Sequence, residues 1–452
     1  MPLPPLPRRN LLGAGLGGLA GAVLVGDTAR AVPATPTAPT GSTGATGAAG
    51  ATNAAAARAR VTTGAQRLAG EGWSSLTGTR LGIITNPTGT LADLTHLVDA
   101  MAATPGVTIA GVFGPEHGFR GTAQAGASEG TSTDPRTGLT VYDAYGAKAT
   151  DLEARFREAR VETVVFDIQD VGARFYTYVW TMYHAMYAAA RLGLRFVVLD
   201  RPNPVGGAAR GPMLTAAYAT GVGLKPIAMQ HGMTVGELAR FFNAELLPKE
   251  DGAPRVPQLD VVVASGWRRR HLWADTGLPW VMPSPNMPTP DTALLYPGTG
   301  LFEGTVLSEG RGTTRPFELI GAPFVDHRWA AALNDRGLRG VRLREAYFTP
   351  TFGKHKDAVC GGVQVHITDR DRVDAIAVAA HMLVEAKRLY PGFAWRADSY
   401  DAARPYWVDK LSGSARLRTM VDSGASADEC LAAWRDELAA FERARRPHLL
   451  YR

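Results

Sequence analysis

"VETVVFD", Val161 to Asp167, is an apolar run of β-branched and aromatic residues that ends on an aspartate. A strand with one face in water alternates polar and apolar side chains, whereas a continuous apolar strand is covered on both faces. "LRFVVLD" (Leu194 to Asp200) reads the same way, and an aromatic segment with helical spacing, Phe175 to Arg191, lies between the two. Strand, helix and second buried strand form a βαβ unit, the building block of a parallel sheet. Towards the N-terminus, "RLGIITN" (Arg80 to Asn86), "VTIAGVF" (Val107 to Phe113) and "LTVYDAYG" (Leu139 to Gly146) are further strands, and "LDVVVAS" (Leu259 to Ser265) closes the series. Helices are predicted from Leu91, Leu94, Leu97, Val98 and Met101 on one face, from "ATDLEARFREA" (149–159), and from "MTVGELARFFNAEL" (233–246). In the last, Thr234 is the N-cap and Glu237 its capping-box partner. The fold class is therefore α/β: a Rossmann-like, mostly parallel sheet domain over residues 59–280.

Residues 281–452 form a second, smaller α+β C-terminal domain. It begins with "MPSPNMPTPDTALLYPGTGLFEG" (Met282 to Gly304), whose prolines remove backbone donors and fix φ, so an ordered, irregular crossing that lines a cleft is expected. "GGVQVHITD" (361–369) alternates as a strand, and helices are expected over 373–390 and 426–446.

The first 58 residues are read separately. Twin arginines (Arg8, Arg9), an apolar run from Leu11 to Val25 and "ARA" (Ala29 to Ala31) predict an export signal of the twin-arginine type over 1–31. The run is too short for a confident membrane span. No cysteine stands near the cleavage point, so no stable membrane anchor is expected, and the mature chain is expected outside the cytoplasm. Residues 32–58 are Ala, Thr, Gly and Pro with little else, a linker without enough apolar surface to order itself. Hydrophobic residues make up 45% of the 452 and charged residues 20%, as in ordinary soluble globular proteins. The formal charge is +6, of which Arg8, Arg9, Arg30 and Asp27 supply +2. No Lys/Arg run interleaved with aromatics appears, which argues against a nucleic-acid partner. Cys360 and Cys430 are the only cysteines, and the sequence leaves open whether they form a disulfide or two buried thiols.

In an open parallel sheet, ligands bind beyond the carboxyl ends of the strands. The segments following the strands are "NPTG" (86–89), "GPEHGFRG" (114–121), "DIQDVGARFYTY" (167–178) and "DRPNPVGG" (200–207), with "QHGMT" (230–234) opening the next helix. They gather Asn86, Glu116, His117, Arg120, Asp167, Asp170, Arg174, Asp200, Asn203 and His231 at one edge. Each has a plainer reading as cap, turn former or ion-pair member. Glu116 is the hardest to dismiss, because Gly114, Pro115 and Gly118 leave no helix for it to cap. The crossing adds Asn286, and "LSEGRGTTRPFE" (307–318) adds Glu309, Arg311, Arg315 and Glu318.

"FGPEHGFRG", "DIQDVGARFYTY", "LDRPNPVGG", "HGMTVGELARFFN" and the long stretch from Met282 to Glu318 together resemble one bacterial family, the NamZ-type exo-β-N-acetylmuramidases. The resemblance runs from about Gly64 to the final "LLY". It implies an active site in the cleft between the two domains, release of N-acetylmuramic acid from non-reducing ends of peptidoglycan fragments, and a catalytic role for Glu116. No cofactor is expected.

The residues suit that chemistry. Glycoside cleavage needs an acid at the leaving oxygen and a second group across the sugar. Phe113 and Phe119 beside Glu116 suggest an apolar wall that raises its pKa. Asp167, Asp170, Glu309 or the substrate's own acetamido group are candidates for the second role. Arg311, Arg120 or Arg174 suits the lactyl carboxylate, and Tyr176, Tyr178 and Trp180 offer surfaces for a sugar ring. Three other readings stay open. One is a metal-dependent hydrolase using Glu116, His117, Asp167, Asp200 and His231. Another is a nicotinamide-dependent enzyme, although the strand before "NPTG" lacks the glycine fingerprint. The third is a non-catalytic wall-binding protein.

Overall fold

Strand β1 (Arg80–Thr85) lies at the heart of a seven-stranded sheet because five of its six residues are buried and it pairs on both sides. The computed structural model describes residues 61–123, 126, 129–249, 253–397 and 401–452; the expected export signal and linker lie outside them. After β1 come β2 (Thr108–Gly114), β3 (Ser132–Thr133), β4 (Thr140–Asp143), β5 (Thr163–Asp167) and β6 (Arg195–Leu199). A two-stranded ribbon, β7 (Arg210–Met213) with β8 (Ala228–Gln230), precedes the last sheet strand, β9 (Gln258–Val262). The sheet order is β3-β4-β2-β1-β5-β6-β9, with every pairing parallel except the short β3 edge. This is the Rossmann-like sheet that the apolar runs predicted. Core residues on its two faces belong to separate apolar clusters: Val164 and Phe166 of β5 face one, and Val165 of the same strand faces the other.

The predicted helix from Leu91 is shorter than its apolar spacing suggested. It runs over Leu97–Ala102, capped by His96, whose Nδ1 accepts from the Val98 amide. Before it the chain turns: Asp93 accepts from the Thr95 amide, and Leu94 takes φ 68° with its side chain exposed. The Thr234–Glu237 capping box is present in both directions.

The proline-rich crossing is more regular than expected. Thr289 caps a helix, Pro290–Thr299, and Pro290 stands in its first turn, where a missing amide hydrogen costs nothing. Beyond it, β10 (Leu319–Ala322), β11 (Val341–Phe348) and β12 (Cys360–Ile367) form an antiparallel sheet in the order β10-β12-β11, packed with helix Ala375–Leu389. The predicted helix over 426–446 is split into Ala427–Ala432 and Arg435–Arg445. Cys360 and Cys430 are both buried free thiols. Among the described residues no helix is long and apolar enough to cross a membrane.

The chain's last residues return to the first sheet. Leu450 and Tyr451 donate their amides to Glu237, and the Tyr451 hydroxyl donates to Asp200. Asp200 is completely buried and also accepts from Thr234 and the amides of Arg201 and Gly236. Burial pushes its carboxyl up to about 7, against the opposing pull of Tyr451, Gly236 and Thr234. In the unfolded chain it titrates near ~3.9, so between about pH 4 and pH 7 the folded state holds a proton that the unfolded state releases. Stability contributed by this group is therefore present at low pH and is lost as pH rises through about 7. Melting temperature measured across that window is expected to fall less with pH in Asp200→Asn than in the native sequence. Parallel profiles would contradict the assignment.

Candidate active site

The chain builds outwards from β1 first to β2 and β4, then crosses back to β5 and β6, so the sheet reverses its order between β1 and β5. Sheets of this kind leave a crevice at that reversal, outside the carboxyl ends of the strands. Directly after β2 the Gly118 amide donates to the Pro115 carbonyl at 2.9 Å, closing a turn with Glu116 and His117 at its centre. His117 takes φ 71°, a conformation usually left to glycine or asparagine, and Gly118 follows at φ 77°. A non-glycine residue held there costs on the order of 1 kcal/mol and marks a site whose geometry is fixed by its surroundings. Here the His117 ring is tied through Nδ1, which donates to the Ala123 carbonyl at 3.0 Å.

The turn presents Glu116 to a hollow of about 580 Å³, counting space open to solvent at its mouth. The Thr177 hydroxyl donates to Glu116 Oε2 at 2.9 Å, and the Gly126 amide to Oε1 at 3.2 Å. Thr177 and Tyr178 stand where helix Tyr178–Leu192 begins, and the Tyr178 hydroxyl donates to the Pro283 carbonyl at 2.6 Å, pinning the crossing segment over the rim. Four buried rings form the inner wall: Tyr296 packs edge-on against Phe175, Tyr176 and Phe317, with centroids 4.7–5.8 Å apart.

The other wall comes from the C-terminal half. Glu303 lies in a short 3₁₀ turn, Gly300–Gly304, and Arg311 in the loop beyond. Gly304 is required by contact, since a Cβ there would stand 2.6 Å from the Val408 Cα. Arg311 donates through Nη2 to Glu303 at 2.8 Å and pairs through Nε with Glu309 at 3.3 Å. Its guanidinium also lies over the Phe317 ring. Burial works against the Arg311 charge, but Glu303 and Glu309 outweigh it and hold its pKa above the ordinary arginine range.

Six of the residues singled out in the sequence reach this hollow: Glu116, His117, Tyr176, Tyr178, Asn286 and Arg311. Asp170 and His231 form a buried pair, with His231 Nε2 donating to Asp170 Oδ2 at 3.1 Å while its Nδ1 accepts from the Met233 amide. Asp170 Oδ1 and the Asn86 amide nitrogen have no hydrogen-bond partner among the described residues.

The others are committed elsewhere. Asp167, offered as a second carboxylate, is completely buried and held by both arms of the Arg201 fork. Arg174, offered for a ligand carboxylate, is also fully buried and donates to the carbonyls of Pro212, Ile227 and Leu411, stitching the ribbon to the C-terminal half. Burial pushes its pKa down to about 9. Arg120 bridges Asp99 and Asp134, both at 2.8 Å. Asn203 closes its own loop on Val205 and Met233, and Arg315 is exposed beside Glu318. Asp200 anchors the C-terminus. Trp180 is a core residue that donates to the Arg174 carbonyl. Phe113 packs with Tyr142 and Phe156, and Phe119 with His96, so both rings are core rather than a wall for Glu116. The five side chains of the metal-site reading do not converge, because Asp167, Asp200 and His231 already have these separate partners.

Glu303 was missed. Its signal was present: "GLFEG", like "GPEHG", sets an isolated glutamate among glycines, but it follows no sheet strand.

An aromatic-walled hollow lined by two glutamates, Glu116 and Glu303, with the Arg311 guanidinium on the second, suits an enzyme that hydrolyses a sugar chain from its end. Comparison with known proteins agrees. Family models for the N-terminal and C-terminal parts of the exo-β-N-acetylmuramidase NamZ match residues 81–291 and 294–451. The peptidoglycan β-N-acetylmuramidase NamZ of Bacillus subtilis (strain 168) is 43% identical over 398 residues, spanning 88% of this chain and 92% of that protein. Crystal structures of two DUF1343 family proteins from Bacteroides fragilis superpose with TM-scores of 0.76 and 0.66, at 32% and 29% identity. Each alignment covers 87% of this chain and 99% of the other. The chain belongs to the NamZ exo-β-N-acetylmuramidase family.

Proposed function

We infer that this protein is an exo-acting glycoside hydrolase that releases N-acetylmuramic acid from the non-reducing ends of peptidoglycan fragments, in turnover or recycling of the cell wall. The observation that carries the reading is Glu116 in a hollow whose inner end is a wall of packed rings. A dead end admits a terminal sugar and turns away the middle of a chain.

Glu116 is the proton donor to the leaving oxygen. Its carboxyl is oriented by Thr177 and Gly126 rather than by an opposing charge, so it is free to exchange a proton with substrate. Glu303 is the carboxylate across the ring, placed by Arg311 to act on the anomeric centre, on water or on the acetamido group. Arg311 Nη1 has no hydrogen-bond partner among the described residues and is directed to the lactyl carboxylate that distinguishes a muramyl from a glucosaminyl sugar. The twin-arginine leader would bring the folded enzyme to the wall.

The test is a pair of aryl glycosides, the N-acetyl-β-muramide and the N-acetyl-β-glucosaminide. The muramide is expected to be turned over at least ~100-fold faster, the scale of a charged hydrogen bond to Arg311 that the glucosaminide cannot make. Equal rates, or turnover of the glucosaminide alone, would refute the reading.

A further inference from the structure

Beside the Glu116 hollow lies a second, wider chamber of about 1640 Å³ including open solvent. The two are adjacent, and Asn286, Glu303 and Arg311 line both. Its own lining differs in kind. Phe352 is 45% exposed on the loop joining β11 to β12, and Trp407 starts helix Trp407–Ser412. The Trp407 ring has the Arg396 guanidinium 5.5 Å from its centroid, and its indole nitrogen has no hydrogen-bond partner among the described residues. Arg396 is an exposed cation with no carboxylate partner among the described residues.

The chamber's cations are not alike. Lys354 is spent within the fold: its ammonium donates to the carbonyls of Phe302, Thr305 and Leu307 and pairs with Glu309 at 2.8 Å. Arg396 is held in place by its backbone and by Nη1, which donates to the Glu303 carbonyl at 3.4 Å, and it has no carboxylate partner among the described residues. Its amide donates to the Gly304 carbonyl, and its own carbonyl accepts from the Trp407 amide. Thr351, next to Phe352, donates its amide to the Gly312 carbonyl, one residue beyond Arg311. Aromatic surface and the Arg396 guanidinium are therefore fixed to the same two turns that carry Glu303 and Arg311.

We propose that this chamber is the leaving-side subsite for a glycan longer than a disaccharide. Trp407 and Phe352 give the sugar after the scissile bond an apolar platform, and Arg396 binds the carboxylate of the next muramyl residue. The proposal rests on the muramidase reading above. In an alternating chain with its terminal muramyl ring beside Glu116, the leaving sugar is a neutral glucosamine and the one after it is again a muramyl with an anionic side arm. An aromatic platform and a cation with no carboxylate partner among the described residues, side by side in one chamber, suit a chain that alternates neutral and anionic sugars. A chamber built for a free monosaccharide product would need neither.

The test compares kcat/KM on a muramyl–glucosaminyl disaccharide and on the tetrasaccharide of two such repeats, for the native enzyme, Arg396→Ala and Phe352→Ala. Both substituted side chains are exposed, so folding is preserved, and Trp407→Phe serves as a milder check on the half-buried ring. The native enzyme is expected to favour the tetrasaccharide. Arg396→Ala is expected to lower the tetrasaccharide value about tenfold, the scale of one hydrogen bond to a charged group, and the disaccharide value by less. Phe352→Ala and Trp407→Phe are expected to weaken both. Inhibition by free N-acetylmuramic acid, which fills only the first chamber, is expected to keep its native constant in all three. Equal values for the two glycans across every variant would overturn the proposal, as would a preference that follows an attached peptide rather than chain length. If the native enzyme cleaves neither glycan, it is the muramidase reading that fails.

Discussion

Glu116→Gln is expected to slow hydrolysis of a muramyl–glucosaminyl disaccharide by about 10³-fold, the mid-range contribution of a general acid. That loss corresponds to about 4 kcal/mol of transition-state stabilisation. The substitution keeps size and shape, and among the described residues the carboxylate it replaces accepts hydrogen bonds from Thr177 and Gly126 alone, so melting temperature should be unchanged. A nitrophenyl muramide adds a sharper criterion. Its leaving group departs without needing a proton, so the deficit should shrink to about tenfold on that substrate. An equal deficit on both would mean that Glu116 acts at the anomeric carbon and not at the leaving oxygen.

Glu303→Gln is expected to behave in the opposite way. A group acting on the far side of the ring is needed whatever the leaving group, so kcat should fall by about 10²–10³-fold on both substrates alike. Glu309→Gln gives the contrast that separates chemistry from support. Glu309 is buried between Lys354 and Arg311 and does not line the first hollow. Removing its charge leaves a buried ammonium without the carboxylate it pairs with, with an expected loss of about 3 kcal/mol of stability and less than about tenfold in kcat. Denaturant unfolding beside turnover reads both. Loss of kcat in Glu309→Gln with native stability would reverse the two assignments.

The sheet was legible because a strand covered on both faces has no polar residues to place, and Val161–Asp167 and Leu194–Asp200 announce this directly. What escaped was decided by single turns. Leu94 fits the apolar stripe of a helix, yet the Asp93–Thr95 turn spends those residues before the helix begins. The crossing hid a helix whose signals, Thr289 as cap and Pro290 after it, were present but were outweighed by the count of prolines.

The site was legible in its first wall and not in its second. The strand-end rule located Glu116 and His117, but it weighed Asp167 and Asp200 equally with them. What separates these carboxylates is their partners. Arg201 lies 34 positions from Asp167, and Tyr451 lies 251 from Asp200, so no local pattern reveals that both are already engaged. Glu303 lies outside the strand-end rule because it belongs to the half of the chain that closes over the sheet.

The most direct test of the central claim is a crystal structure of Glu116→Gln with an uncleaved muramyl–glucosaminyl disaccharide. The account predicts the muramyl ring against Tyr296, its lactyl carboxylate on Arg311, and the bridging oxygen within about 3 Å of the amide at position 116. A muramyl ring lying outside the Glu116 hollow, or a bridging oxygen turned away from position 116, would contradict it.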